Sequence, residues 1–471
     1  MKAKTANFKH KFNLPARAAF WFTAAAFFEK GCALIFTPIY TRLLPPSEYG
    51  SYALYMSYIG IFSVFVTLEI SGNAIYRGLR EFEDSKKFIG AATGIILGQV
   101  FLSSAVYFLA FDFFDKITEL GAKLSLIIFI DCAASGIFAV KLSEKKFLYS
   151  TRLFLLYSAA NSLAAPLISV FLIKTTSHPE LARIYAHLAI SLAFAIPVLF
   201  SIAKNARFKF FDADIWRFVL KYSLPTVFHY LFVALIFQSG KIFVGKLFSS
   251  REVALLAIAG SLGFLPNLFT HGVQSSLIPW INRKLAQTGG DEKIYPIILS
   301  ILRPLCIIIL IFLAFCPEGI SILAPRSYSE ALTAVYPIAI SCAISFLINV
   351  FSSVISYYKK TYLVTLGSFC GAACSLILNL SLTLRLGFAF SQLALLLSCA
   401  VVLLFYSLII KFKFRHARLP LWEILICIFL LSISATVLSM LTHSVFARGV
   451  FAAALTLLLL PQMKKTAAFI K

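Results

Sequence analysis

Long apolar runs, separated by short polar segments, recur along the whole chain. A helix needs about 20 mostly apolar residues to cross the hydrocarbon core of a bilayer. By this criterion the pattern predicts fourteen membrane-spanning helices, at residues 18–41, 50–70, 88–110, 123–142, 152–173, 182–203, 222–246, 253–278, 296–323, 332–357, 362–384, 387–410, 420–441 and 446–463. The first run follows several lysines, as in a signal peptide, but it lacks a convincing cleavage site, so we expect it to be retained.

The composition supports an all-α polytopic membrane protein. Of the 471 residues, 60% are hydrophobic and 13% are charged, whereas about 25% of the residues in soluble domains are charged. Such a chain cannot cover a water-exposed globule with polar side chains, which excludes a soluble enzyme and a disordered chain. The nine cysteines lie in apolar runs without metal-ligand spacing, so we expect no disulfide framework, no metal site and no cofactor.

The distribution of basic residues predicts the orientation of the chain. It has 43 Lys and Arg against 20 Asp and Glu, which gives a net charge of +23. If the N-terminus is cytoplasmic and the helices alternate in direction, the cytoplasmic segments contain thirty basic residues and the outer segments contain ten. This asymmetry predicts that both termini are cytoplasmic. The basic excess is then a topology signal, and nucleic acid is excluded as a partner.

An internal repeat divides the chain. Residues 42–57 and 246–261 align without gaps at an offset of 204, and four of the sixteen aligned positions are identical. Because each predicted unit contains an even number of helices, the repeat is parallel, with its axis along the membrane normal. We therefore predict a first six-helix lobe, a cytoplasmic amphipathic linker, a second six-helix lobe and two extra transmembrane helices. Their boundaries are 1–203, 204–221, 222–410 and 411–471.

Two predicted hairpins resemble those of a known transporter family. Residues 36–81 carry TRLLPPSEYG between the first two helices and an arginine after the second, which is similar to the first hairpin of the Wzx-type polysaccharide flippases. Residues 238–279 resemble the family's helix 7–8 hairpin, although Gly240 and Lys241 stand where the family usually has an Asp-Arg pair. A looser similarity covers residues 379–393. These flippases belong to the multidrug/oligosaccharidyl-lipid/polysaccharide exporter superfamily.

This resemblance implies a transport function. It implies two six-helix lobes around a central cavity that opens to each side in turn, in a bacterial inner membrane. The implied substrate is an undecaprenyl-diphosphate-linked oligosaccharide, and the implied partners are membrane lipids, H+ or Na+ as the coupling ion, and glycan polymerase machinery. Which glycan is carried (O-antigen, capsule, a teichoic-type glycan or lipid II) stays open.

Charged residues inside predicted helices are the candidate ligands of the lipid diphosphate. A charge in the hydrocarbon core costs about 2.5–3.5 kcal/mol, so such residues usually face a cavity or a partner. The predicted diphosphate-binding residues are Lys30, Lys241 and Arg303 within helices, and Arg77 and Arg80 at the cytoplasmic surface. The alternatives are an ion pair of Lys30 with Asp131 or Glu29, snorkelling of Arg303 to the surface, and a purely topological role for the last two arginines.

Two carboxylates and several polar residues complete the candidate site. Glu29 and Asp131 lie in predicted spans and are candidates for binding the coupling H+ or Na+. The predicted glycan-contacting residues are Tyr55, Tyr58, Asn267, His271 and Gln274. The last three share one helical face, and such a stripe either lines water or bonds to a neighbouring helix.

The sequence therefore favours a lipid-linked oligosaccharide flippase that works by alternating access and is not an enzyme. The nearest alternative is a multidrug cation antiporter of the same superfamily, in which Glu29 would bind the cation. Three cations inside the predicted spans disfavour a cationic drug. A membrane glycosyltransferase or polymerase acting on the same lipid is the alternative from another class, but the predicted outer loops are too short for a catalytic domain. A lipid II flippase would share the fold.

Overall fold

The computed structural model describes residues 2–176, 179–287, 291–414, 420–442 and 444–468, and these ranges consist of helices joined by short turns. The chain forms two compact units. Unit 1 comprises residues 1–44 and 54–231, and unit 2 comprises residues 45–53 and 232–471. Two of the three division points, after residues 53 and 231, fall inside helices.

The helices of the N-terminal half are α1 (Lys2–Leu43), α2 (Pro46–Thr67), α3 (Asn73–Glu81), α4 (Ser85–Leu109), α5 (Phe111–Thr118), α6 (Gly121–Phe147), α7 (Thr151–Thr175), α8 (Pro179–Asn205) and α9 (Ala213–Leu247). Those of the C-terminal half are α10 (Ser250–Gly263), α11 (Pro266–Leu285), α12 (Asp291–Ala314), α13 (Cys316–Leu323), α14 (Leu332–Tyr357), α15 (Thr361–Leu378), α16 (Leu384–Leu386), α17 (Phe390–Leu408), α18 (Leu421–Met440) and α19 (Val445–Ala468). A 3₁₀ turn at Arg326–Ala331 precedes α14, and π-helical segments at Asn379–Thr383 and Ile409–Lys413 follow α15 and α17.

The all-α polytopic fold is confirmed. Twelve of the described helices are long and apolar enough to cross a membrane, and α10 with α11 makes a thirteenth span if the bent pair counts as one. The bend of 46° falls where Pro266 starts α11, because proline lacks the N–H that would continue the preceding helix. The fourteenth predicted span corresponds to α19, whose described apolar part, Val445–Thr456, is shorter than a span.

The predicted linker, residues 204–221, lies in unit 1. There α8 ends at Asn205, residues 206–212 form a turn, and α9 begins at Ala213. Asp212 fixes this turn, because one carboxylate oxygen lies 2.6 Å from the Lys87 ammonium of α4. The other oxygen caps α9 by accepting a hydrogen bond from the backbone N–H of Ile215.

Two glycines of α4 let this turn pack directly on the helix. A Cβ at Gly90 would lie 2.3 Å from the Cβ of Ala206, and a Cβ at Gly94 would lie 2.0 Å from the carbonyl oxygen of Phe210. Both separations are far inside van der Waals contact, so only glycine fits. The turn between α8 and α9 is therefore held on α4.

The two segments of the predicted repeat meet in unit 2, where α2 and α10 begin. A Cβ at Gly50 would lie 1.6 Å from the carbonyl oxygen of Ser250 and 3.1 Å from the backbone nitrogen of Ala254. The Ser51 hydroxyl also donates to that of Ser250, at 3.4 Å. Positions 50 and 254 are equivalent in the repeat. The crossing therefore brings matching positions of the two copies into backbone contact.

A buried arginine attaches α19 to the rest of unit 2. Arg448 is 1% exposed. Its guanidinium donates to the Ala314 carbonyl oxygen at 2.7 Å and to the Glu318 carboxylate at 3.1 Å. Since a buried guanidinium is costly without such partners, this contact fixes the start of α19 against α12 and α13.

Candidate functional site

Unit 1 encloses a polar cavity of about 220 Å³ between α1, α6, α7 and α8. It is lined by Glu29, Ser135, Phe138, Ala139, Leu142, Ser158, Asn161, Ser162, His187, Ser191 and Phe194. On α6, α7 and α8 the lining residues recur every three or four positions, so each helix turns one face to the cavity. The polar face of α7 was not predicted from the sequence, although Ser158, Asn161 and Ser162 recur at helical spacing.

Asp131 lies on α6, one turn before the lining residue Ser135, and its side chain is 0% exposed. Its Oδ2 accepts a hydrogen bond from the Tyr55 hydroxyl at 2.9 Å and lies 2.6 Å from His187 Nδ1. These contacts offset the cost of burying a carboxylate, which is several kcal/mol in the absence of partners. Of these three side chains, only that of His187 lines the cavity.

The structure brings the two predicted ion-binding carboxylates to one site. Glu29 lines the cavity from α1 and is exposed, whereas Asp131 is reached from the cavity through His187. Neighbouring Lys30 is exposed on α1. It makes no ion pair or hydrogen bond with any residue that the structure describes, so the alternative pairing with Asp131 or Glu29 is not found there.

Lys241 lies half-buried on α9, and within the described ranges it has no carboxylate partner. The preceding residue explains part of the departure from the family pattern. A Cβ at Gly240 would lie 3.3 Å from the Cβ of Ser391 on α17. A larger side chain there would require Ser391 to shift by a few tenths of an ångström, so glycine suits the close approach of α9 and α17.

The predicted arginines occupy two different environments. Arg303 is 20% exposed and donates to the Glu423 carboxylate at 3.1 Å, which links α12 to α18. The Arg77 guanidinium lies 4.6 Å from the centroid of the Tyr222 ring. Arg77 and Arg80 are both exposed on the short helix α3. These two therefore remain accessible to an anion, while Arg303 already has a counter-charge.

The structure changes the interpretation of both candidate tyrosines. Tyr55 is 2% exposed and Tyr58 is 4% exposed. The Tyr55 hydroxyl donates to Asp131, and the Tyr58 hydroxyl donates to the Thr118 carbonyl oxygen at 2.9 Å. Rings that are buried in this way are not available to stack on a sugar, so both tyrosines belong to the internal hydrogen bonding of unit 1.

The polar face of α11 divides in a similar way. Gln274 is buried, donates to the Phe346 carbonyl oxygen at 3.4 Å and accepts from the Asn349 amide at 3.5 Å. It therefore joins α11 to α14. His271 is exposed and Asn267 is half-buried, which leaves these two as accessible glycan candidates.

Unit 2 contains a second buried polar group, which is neutral. The hydroxyls of Ser239 and Ser375 lie 3.1 Å apart. The Asn379 amide donates to the Ser375 carbonyl oxygen at 2.8 Å and accepts from the Thr383 hydroxyl at 3.2 Å. Asn379 begins the π-helical segment that follows α15. Among the described residues, no group of three or more His, Cys, Asp or Glu side chains is arranged to hold a metal ion.

The sequence also matches a known protein family. The sequence model of the family described as "Polysaccharide biosynthesis protein" matches residues 16–284, which is more than half of the chain. A search of curated protein sequences gave no match.

Solved transporter structures share this fold. A multidrug resistance MATE family transporter of the MOP superfamily, in its inward-facing conformation, is 12% identical at a TM-score of 0.63, with 84% of this chain and 95% of that chain covered. The lipid II flippase MurJ, in an inward closed conformation, is 15% identical at a TM-score of 0.62. The match covers 91% of this chain and 99% of that chain. A MOP superfamily transporter from Pyrococcus furiosus is 13% identical at a TM-score of 0.57. The match covers 86% of this chain and 96% of that chain.

Proposed function

Because this chain belongs to the polysaccharide biosynthesis protein family, we propose that it is a flippase that carries an undecaprenyl-diphosphate-linked oligosaccharide across the bacterial inner membrane. The protein is a multi-pass membrane protein with the fold of MOP-superfamily transporters. We infer that it works by alternating access with both termini in the cytoplasm. No covalent bond of the substrate changes in this process.

One observation carries the proposal: Lys30 and Lys241 lie within membrane spans and have no carboxylate partner among the described residues. An ammonium in an apolar span is costly until it meets an anion. A lipid diphosphate supplies that anion, and charge attraction is several-fold stronger in a low-dielectric site than in water. We assign both lysines to the diphosphate, and the exposed Arg77 and Arg80 to its capture at the cytoplasmic surface.

The cavity of unit 1 supports ion coupling as part of this proposal. It places Glu29 at its wall and Asp131 directly behind His187. Intramembrane carboxylates of this kind mark ion and proton pathways in transporters. We propose that this cavity binds the coupling ion while the lysines bind the glycolipid.

The multidrug cation antiporter remains the second candidate, because a structure described as a MATE family transporter shares the fold. In that alternative Glu29 would bind the exchanged cation. The two unpaired lysines favour an anionic substrate, since they would repel a cationic drug.

The deciding experiment compares two substrates in proteoliposomes. The wild type is tested with an undecaprenyl-diphosphate oligosaccharide and with a cationic dye, beside Lys30→Ala and Lys241→Ala. We expect transport of the glycolipid alone. Each substitution should weaken glycolipid binding roughly ten- to a hundredfold, because it removes a charge-assisted contact of about 1.5–3 kcal/mol.

Two further variants make the result specific. Lys116→Ala removes an exposed lysine of α5 and should leave transport unchanged. Lys30→Arg keeps the charge and should restore most of the binding that Lys30→Ala loses. Transport of the dye alone, with a loss in Glu29→Gln, would contradict the flippase and establish the antiporter.

A further inference from the structure

We propose that the coupling ion is a proton and that His187 carries it, with Asp131 as its fixed counter-charge. This proposal rests on the proposed function in one respect, namely that binding of the proton is coupled to transport. The proton site itself stands on the geometry of α6, α8 and the cavity between them.

Access identifies the proton carrier. Asp131 is 0% exposed, and its Oδ2 is in contact with both Tyr55 and His187. Tyr55 is also buried. The His187 side chain is 26% exposed and lines the cavity. Ser191 also lines the cavity and contacts Asp131. Its hydroxyl is not basic, so the imidazole is the group beside the carboxylate that can hold a proton from the cavity.

The chemistry follows from the contact at Nδ1. Asp131 Oδ2 lies 2.6 Å from Nδ1, and an ionised carboxylate can only accept, so we assign a hydrogen on Nδ1 that is donated to Oδ2. The neutral ring then has Nε2 as its remaining acceptor. Hydronium gives its proton to Nε2 and leaves as water, which changes the charge of the pair from −1 to 0. Such a change in a low-dielectric site alters the relative stability of two conformations, which is the requirement for coupling.

The same contacts disfavour a sodium ion at one oxygen of the carboxylate, Asp131 Oδ2. A hard cation requires several oxygen ligands and no adjacent N–H donor. At Asp131 Oδ2 it would displace both the Tyr55 hydroxyl and the His187 N–H. The cavity also has hydroxyls from Ser135 on α6 and Ser191 on α8, one turn from Asp131 and His187, so the sodium arm of the test below decides between the two ions.

Other titratable groups near His187 have identifiable positions. Glu29 lines the cavity from α1, and Tyr55 approaches from α2. Arg183, one turn before His187 on α8, lies 4.0 Å from the centroid of the Tyr40 ring. The lining residues of α7 are neutral. Glu29 is therefore the group whose titration has to be separated from that of His187.

The first test observes the histidine directly. The protein is labelled with ¹⁵N-histidine, placed in nanodiscs, and titrated over about pH 5 to 8 by NMR, with and without sodium chloride. The resonance pair of His187 is the one that disappears in His187→Gln. We expect this pair to report a change from a neutral ring with its hydrogen on Nδ1 to imidazolium. Asp131→Asn should perturb the same pair, and Glu29→Gln should leave it titrating. His229→Gln, the matched control, should remove a different pair.

Two results would overturn the proposal. One is a His187 ring that keeps the Nε2–H tautomer or does not titrate in this range. The other is a sodium-induced change in the His187 signals that disappears in Asp131→Asn. The readout needs no transported substrate, so it is independent of the flippase assignment.

The second test links the proton to transport. In proteoliposomes holding the lipid-linked oligosaccharide, a gradient of one pH unit should drive about a tenfold accumulation for one-proton exchange. A sodium gradient should drive none. His187→Gln should still equilibrate the glycolipid but should lose the response to the pH gradient. If wild type moves no glycolipid while His187 titrates as expected, the flippase proposal fails and the proton site stands.

Discussion

A buried polar group around Asp131 in unit 1 differs in charge from one around Ser375 in unit 2. In unit 1 the carboxylate of Asp131 is held by a hydroxyl and an imidazole, and the imidazole opens on a cavity. In unit 2 the side chains of Ser239, Ser375 and Asn379 are neutral and bond to one another. Both groups lie deep among apolar helices, yet only the first has a member that can change its charge.

The difference separates two uses of buried polarity. Neutral groups that satisfy one another hold helices together and gain nothing from an ion. A charged group whose partner reaches a cavity can take up a proton and change the local charge. We therefore expect substitutions in unit 1 to alter both stability and coupling, and substitutions in the unit 2 group to alter stability alone.

The largest expected effect is that of Asp131→Ala. It leaves the Tyr55 hydroxyl and the His187 N–H without their acceptor, and removing one partner of a buried pair costs about 3–5 kcal/mol. The free energy of unfolding, measured by denaturant titration in detergent, should fall by that amount. Asp131→Asn keeps an acceptor oxygen and should cost less. Losses below about 1 kcal/mol in both variants would remove the contrast with unit 2.

A pair of glycines compares the packing of the two units. In unit 1, Gly94→Ala places a Cβ against the Phe210 carbonyl oxygen and should lower the free energy of unfolding by about 1–3 kcal/mol. In unit 2, a Cβ at Gly272 meets nothing within 4 Å, so Gly272→Ala should stabilise α11 by up to about 1 kcal/mol. Thermal unfolding of the two variants checks this, and shifts of the same sign would contradict it.

Ser375→Ala tests the neutral group itself. It removes the contacts of this hydroxyl with Ser239 and Asn379, which should cost about 1 kcal/mol. The response of transport to a pH gradient should match that of the wild type. A variant that folds normally but loses this response would show that unit 2 also takes part in coupling.

The smallest expected effect is the weakening of the contact between Arg448 and Glu318 at acidic pH. The hydrogen bond from Arg448 lowers the pKa of Glu318, which lies outside the described spans. A carboxyl whose pKa is lower in the folded state contributes stability above its unfolded pKa, and this is lost as the pH falls through the folded pKa. Limited proteolysis near α19 should therefore become faster in acid. Glu318→Gln should show this faster cleavage at neutral pH, with little further change on acidification.

The fold and the family were predicted from the sequence. The bilayer thickness fixes the length of an apolar run that can cross it. The fold that these runs predict is confirmed. The family expected from the first hairpin is confirmed as well. Asp131 was found because a charge in an apolar run is conspicuous. Its partners, Tyr55 on α2 and His187 on α8, were not predicted. They lie 76 and 56 positions away in the chain and become neighbours of Asp131 only through packing.

Other features depended on tertiary contacts that the pattern does not encode. Tyr55 and Tyr58 are predicted from the sequence to contact the glycan, but packing buries both rings. Arg303 looks like an unpaired cation until α18 brings Glu423 to it, 120 residues later. The bend between α10 and α11, in contrast, has a signal in the sequence, because Pro266 interrupts the predicted span 253–278.

The crossing at Gly50 joins equivalent positions of the predicted repeat, as the interface of a homodimer joins equivalent positions of two chains. When identical copies meet about a two-fold axis, any substitution enters the interface twice. Here the two copies are covalently joined, so each can change independently, and the equivalent positions carry Gly50 and Ala254. One glycine is enough for the backbones to touch, because Ala254 retains its methyl group while position 50 has no room for one. The steric constraint of this crossing therefore falls on position 50 alone, whereas a symmetric pair would need glycine on both sides.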